Sequence, residues 1–406
     1  MTALAEPQHV LDYLVELGSA LMSAGCPVHR LEELLVALAG LEGYQADVFA
    51  VPTGLFVTVR AEGPGPSLTT MVRVREWGTD LERMAELDEV LNLVADRKLG
   101  IPEARRRIQQ ARGAGWSTLV QLLAGVGACA GAAVSFGGGL ADSCLAGLGG
   151  LALQGLRLLS VERRELRVLE NLLGGVVAGL VAWLGSLLWP VSREVLVLAI
   201  VIPLLPGLTL TTGLSELSYR NLVAGTARLM HATVTLVSLV FGIVLVLGLE
   251  SSLGLTSTAA AAAAREPAGW AVQLVALVVA SLSFGVVLGL PAHRLPIALA
   301  SGALAWLLQA ATRGFAGSQG VFATSLVLAA VANLYARRTQ RPAQLFLMPG
   351  MLLLVPGALS FRSLEALLRG DYVTGATQFV DVLQVAGALV MGLLVASVVA
   401  PPKKAL

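Results

Sequence analysis

The sequence predicts an α-helical integral membrane protein: ten transmembrane helices as two five-helix inverted repeats, preceded by a small α+β cytoplasmic domain. Three observations lead there. The 406 residues are 56% hydrophobic and only 14% charged, with a mean hydropathy of +0.77, whereas about a quarter of a soluble domain is charged. About half of the charge falls before about residue 113, in little more than a quarter of the chain, and beyond it apolar runs alternate with short, arginine-rich connections. One short motif, Pro206-Gly207, returns as Pro356-Gly357 inside a second apolar run.

The polar head, residues 1–113, comes first. Val10, Leu11, Leu14, Val15, Leu21 and Met22 recur at helical spacing, as do Leu31, Leu34, Leu35 and Leu38. Gly25 and Pro27 separate these two helices. Asp47–Val51 and Gly54–Val59 read as strands joined by a turn at Pro52-Thr53, and Leu68–Arg75 ends in alternation. Two more helices follow, around Leu81–Ala95 and Pro102–Ala111. About 100 residues suffice to bury a core. His29, Arg30, Glu32 and Glu33 cluster at the start of the second helix, where acidic residues complement the helix dipole.

A membrane-spanning helix needs roughly 20 apolar residues. The first predicted transmembrane repeat, 114–250, holds five such runs near 117–136, 139–157, 168–189, 194–213 and 226–249. The second, 266–406, holds five more near 269–290, 295–312, 319–336, 343–360 and 376–400. Gly127 with Gly131 and Gly175 with Gly179 form small-residue faces that let helices approach closely. With the head inside, arginines and lysines favour the inner connections over the outer ones by about three to one, so both termini are expected in the cytoplasm. Residues 1–7 lack the pattern of a cleaved signal peptide. The net charge of +1 gives no reason to expect nucleic acid. Cys26, Cys129 and Cys144 are too scattered for a disulfide framework or metal site and are expected as small buried hydrophobes.

The motif carries the chemistry. A proline removes one amide donor and frees the carbonyl four residues earlier, that of Ile202 for Pro206 and that of Leu352 for Pro356. Opened backbone at membrane depth is tolerated only where protein buries it or it lines a cavity. Aligning the two motifs also aligns Gly225 with Gly375 and brings Glu216 within one residue of Glu365. Five spans per repeat would send the second copy through the membrane from the opposite face. Paired broken helices in inverted repeats mark the binding site of many secondary transporters.

Several stretches, taken in order, resemble the threonine/serine exporter family in its long single-chain form. They are Gly18–Gly25, His29–Glu33 and Val51–Gly54 in the head, then Phe136–Asp142 and Leu205–Thr212 followed by Gly225–Arg228. Leu354–Gly357, followed by Gly370-Asp371-Tyr372 and Gly375, completes the set. The resemblance implies an inner-membrane exporter of small hydroxy amino acids driven by the proton motive force, with no cofactor, no metal and no enzymatic role. Homo-oligomers are compatible with it. The chain departs from the family pattern at Thr212 and Glu216.

On this reading a zwitterion presents its ammonium to the carbonyls freed at the breaks and its carboxylate to a half-helix N-terminus. The substrate-binding residues are then Pro206, Gly207, Thr209, Thr211, Thr212, Pro356, Gly357 and Ser360. For proton coupling Asp142 comes first, because an ionisable side chain in a span is costly and suggests a pathway. Glu216, Glu365 and Asp381 follow, the two glutamates as gate residues. Two other readings compete: export of a small dicarboxylate or other metabolite, and a membrane-anchored enzyme with a catalytic head. Against the enzyme, the head has neither nucleophile motif nor metal-ligand spacing.

Overall fold

The computed structural model describes residues 6–61, 66–75, 78–254, 269–315, 317–354 and 357–401. The head opens with α1 (Pro7–Ser23) and α2 (Val28–Leu41). It continues through β1 (Tyr44–Val51), β2 (Gly54–Ala61) and β3 (Ser67–Arg73) to α3 (Leu81–Ala95) and α4 (Ile101–Gln110). The strands form an antiparallel sheet in the order β1-β2-β3, with Val51 opposite Gly54 across the expected turn. Alternation sends Leu55, Val57 and Val59 beneath the helices, while Phe49, Phe56 and Met71 stay exposed on the other face. Gly18 is small because the sheet comes so close: a Cβ there would lie 2.5 Å from Leu55 Cδ2.

The bundle follows as α5 (Thr118–Ser135), α6 (Leu140–Glu162), α7 (Arg164–Leu188), α8 (Arg193–Val201), α9 (Gly207–Ser218) and α10 (Leu222–Leu253). Then come α11 (Trp270–Val287), α12 (Leu295–Ala311), α13 (Ser318–Thr339), α14 (Gln344–Met351), α15 (Gly357–Leu368) and α16 (Tyr372–Val399). Among the described residues, eight of these are long and apolar enough to cross a membrane, and the bent pair α8–α9 raises the number to nine if it counts as one span. That inventory makes a multi-pass membrane protein. The fourth and ninth predicted spans are each two short helices, and Pro356, at the join of the second pair, lies outside the described residues.

The two halves repeat their contacts. α7 packs on α10 as α13 packs on α16, and α9 closes on α10 as α15 closes on α16. A Cβ on Gly225 would meet Leu217 Cγ at 2.7 Å; on Gly375, about 150 residues later, it would meet Leu367 Cγ at 2.6 Å. The glycine faces on α5 and α7 are packing surfaces: Gly131 abuts Ala280 of α11, and Gly179 abuts Val246 of α10. Between the halves, direction relative to the head differs. The first pair ends against the head, where Glu216 accepts from the Val28 N–H at 3.2 Å. The second begins there, where Arg30 donates to Gln344 Oε1 at 3.2 Å.

Cys26 and Cys129 are buried, but Cys144 is exposed on α6. A thiol is a small, weakly polar group, so exposure costs it little.

Candidate functional site

The first break is built from two prolines. α8 stops at Val201, a single 3₁₀ turn covers Ile202–Leu204, Leu205 is extended, and Pro206 caps α9. The helices on either side are bent by 56°. Pro206 cannot continue the ladder, and its own carbonyl starts α9 by accepting from the Leu210 N–H at 2.9 Å. The Ile202 carbonyl is not free as expected: the tightened turn lets it accept from the Leu205 N–H at 3.3 Å. Cys129 of α5 donates its thiol to the Ile200 carbonyl at 3.6 Å.

The second break is held by side chains of α12. Ser301 donates to the Phe346 carbonyl, which precedes Pro349, and the Gln309 amide donates to the Leu353 carbonyl at 2.9 Å. Opened backbone is therefore satisfied from neighbouring helices, as hydrocarbon demands.

The two breaks meet. A Cβ on Gly357 would lie 3.3 Å from Leu205 Cβ and 3.6 Å from the Gly207 Cα. Beside them is a cavity of about 510 Å³, lined by Ile202, Leu205 and Gly207 from one break and Leu352, Leu353 and Gly357 from the other. Phe136 and Phe284 contribute apolar wall, and Ser135, Gln273, Trp306, Gln309 and Arg313 contribute polar groups. Ser135, Gln273 and Arg313 lie toward the helix ends away from the head, so the cavity runs from the breaks to that far end. Such a concave, mostly apolar pocket with a few polar groups is the usual form of a small-molecule site.

Towards the head the cavity is shut. Leu81 and Ala85 of α3 are buried with Leu288, Leu290, Ala298 and Leu345, and the cluster reaches Leu208 and Leu352 beside the breaks. The N–H groups of Leu81 and Glu82 donate to the carbonyls of Leu288 and Gly289, at 2.9 and 3.2 Å, and Glu82 pairs with Arg294. His29 stacks on Tyr219 with ring centroids 4.0 Å apart. Burial, aided by the neighbouring Arg30, lowers the imidazole pKa from 6.5 to about 4.

The other predicted residues are dispersed. Thr211 is buried and returns its hydroxyl to the Gly207 carbonyl at 3.1 Å, while Thr209 and Thr212 are half-buried and Ser360 is buried and engaged. None of these four is among the residues lining the cavity. Asp142 is fully buried as a cap: one carboxylate oxygen accepts from the Gly139 N–H and the other from the Ser192 N–H, both at 2.8 Å. It ties the start of α6 to the start of α8. Glu216, also fully buried, accepts from Val28 and from Arg228 Nε at 3.0 Å. Glu365 pairs with Arg369 at 2.6 Å, and Asp381 is exposed on α16.

Sequence reasoning missed Gln273, Gln309 and Arg313. The signal was present: a side-chain amide inside an apolar run is costly in lipid and marks a cavity or a partner.

Among the described residues no group of three or more metal-ligating side chains converges.

The model of a threonine/serine exporter family matches residues 12–250, and a second threonine/serine exporter model matches residues 273–399. A probable threonine/serine exporter of Mycobacterium tuberculosis is 24% identical over 97% of this chain and 77% of its own length. Pheromone-regulated membrane protein 10 of Candida albicans is 24% identical over 89% of this chain, and an uncharacterised Schizosaccharomyces pombe protein is 26% identical over 57%. The matched region spans only 34% and 29% of those two fungal proteins. No solved structure matches the chain.

Proposed function

Because the chain belongs to the threonine/serine exporter family, we propose that it is a secondary transporter that exports small hydroxy amino acids across a bacterial inner membrane. The observation that carries this reading is the meeting of both broken helices at one cavity. A carrier needs its ligand where two rigid elements can move against each other, and Gly207 and Gly357 provide that place.

In this reading Arg313 takes the substrate carboxylate, since a guanidinium matches a carboxylate in charge and geometry. The amides of Gln273 and Gln309 serve the hydroxyl and ammonium. The wall of Ile202, Leu205, Phe136 and Phe284 sets the size limit. The state described is closed toward the head and open away from it. A cytoplasmic head with both termini inside then makes it the releasing state of an exporter.

Ten spans in two inverted repeats are the proposed architecture. The matched glycine contacts and the opposite directions of the two broken pairs relative to the head support it. Proton coupling is the proposed energy source. Asp142 and Glu216 are fully buried with their oxygens engaged by N–H groups, whereas Glu365 answers a half-exposed Arg369 and Asp381 is exposed, so the latter two are the proposed coupling groups.

Purified protein in liposomes, with an imposed proton gradient, tests this against labelled threonine, serine, succinate and lactate. Wild type is expected to move threonine or serine. Arg313→Gln and Gln309→Leu are expected to lose at least about tenfold in rate, equivalent to roughly 1.4 kcal/mol, while inserting normally. Transport of succinate alone, or rates untouched by both substitutions, would sink the assignment.

A further inference from the structure

A second cavity, of about 450 Å³, lies between the halves, with α7, α8 and α10 on one side and α15 and α16 on the other. It is separate from the central one, with which it shares no lining residue. Three ion pairs line it: Arg193 with Glu250 at 2.9 Å, Arg362 with Glu194 at 3.2 Å, and Arg369 with Glu365 at 2.6 Å. Their charges cancel pairwise, the exposed Asp371, which caps α16 by accepting from the Thr374 N–H at 3.1 Å, adds one negative charge, and the Arg362–Glu194 pair joins one half to the other.

Among the described residues, three buried polar atoms around it lack a hydrogen bond; one, Arg362 Nε, still faces Glu194 as its ion-pair partner. Arg193 is anchored by Nε on Ser186 Oγ at 2.7 Å and by Nη1 on Glu250, which leaves its buried Nη2 with no partner. Gln378 of α16 buries its Oε1, also with no partner. A buried polar atom without a partner is a cost that folded proteins rarely keep unless a ligand or water uses it. Arg193 Nη2 is a charged donor and Gln378 Oε1 an acceptor, and both belong to residues lining the same cavity.

We propose that this cavity is a second ligand site for a small carboxylate that also carries a proton donor, an α-amino or α-hydroxy acid. The carboxylate accepts from Arg193 Nη2, the strong charge-assisted contact of the site. The ammonium or hydroxyl donates to Gln378 Oε1. Ion pairs around it hold both halves together, so an occupied site bridges α8 and α16 at the end of the bundle away from the head. The proposal takes only its choice of test ligands from the exporter reading.

Equilibrium binding of labelled threonine and serine to the purified full chain tests it, with lactate, propionate and threoninol as competitors. Wild type is expected to bind two molecules per chain. Gln378→Leu, and separately the paired change Arg193→Gln with Glu250→Gln, should remove one of them or weaken it at least about tenfold, leaving the other unchanged. Arg313→Gln should remove the opposite one. Lactate should compete at the outer site, whereas propionate and threoninol, each lacking one group, should compete poorly. A single bound molecule that only Arg313→Gln removes would overturn the second site and leave the exporter reading standing. Two bound molecules without any transport would do the reverse. No binding of any of these acids overturns the proposal, as does a stoichiometry unmoved by both outer-site variants.

Discussion

The two broken helices are built alike and finished differently. In each, a glycine of the following long helix receives a leucine from the last turn of the broken one, Leu217 on Gly225 and Leu367 on Gly375. The ends they reach differ. α9 ends under the head, with Glu216 wholly enclosed between the Val28 N–H and Arg228. α15 ends at the opposite side of the bundle, where Glu365 answers an Arg369 that is about half exposed. The prolines decide where a helix breaks, the leucine–glycine contacts seat its second part on the next helix, and the polar contacts decide which end is held.

The largest test of that difference is a pair of truncations. Glu216→Ala strands Arg228 in a nearly closed site and removes the acceptor for the start of α2, so stability should fall by about 3–5 kcal/mol. Glu365→Ala releases a partner already in contact with solvent, at a cost of about 0–1 kcal/mol. Thermal unfolding of the purified variants reads both. Equal losses would mean that the two ends are held alike after all.

A second pair probes what the halves share. Gly225→Ala and Gly375→Ala each push a methyl into a leucine that the facing backbone holds in place, and each should cost about 1–3 kcal/mol by overpacking. Here the losses should match. If one half tolerates alanine and the other does not, the repeated contact is a coincidence of spacing.

These contrasts also explain what the sequence could disclose. The sheet of the head is legible because alternation and the Pro52-Thr53 turn are local. The break at Pro206 is legible because a missing N–H acts within four residues. The fates of Thr211 and Asp142 are not. Thr211 satisfies its hydroxyl inside its own helix, and Asp142 reaches Ser192, fifty residues away, across a loop. The cavity's polar groups come from α5, α11, α12 and the turn after α12, elements that no local rule connects to Pro206 or Gly357. Glu32 shows the same limit: beside its dipole role, its carboxylate accepts from the Ala50 N–H at 2.8 Å and pins α2 to β1.

The smallest effect concerns pH and only the first break. Tyr219 carries the stacked His29, whereas Arg369, at the corresponding place in the second half, carries an ion pair instead. Burial, aided by the charge of Arg30, lowers the His29 pKa to about 4, against about 6.5 for a free imidazole. The unfolded chain therefore binds more protons between those values, and stability must rise with pH across that window. The contribution is complete above pH 6.5 and is lost progressively as pH falls through about 4. His29→Phe keeps a flat ring against Tyr219 and removes the titration. Its unfolding temperature should fall less steeply than that of wild type from pH 7 to pH 4, by an amount smaller than either pair above. Parallel curves would show that the head meets the first break without any contribution from the neutral imidazole.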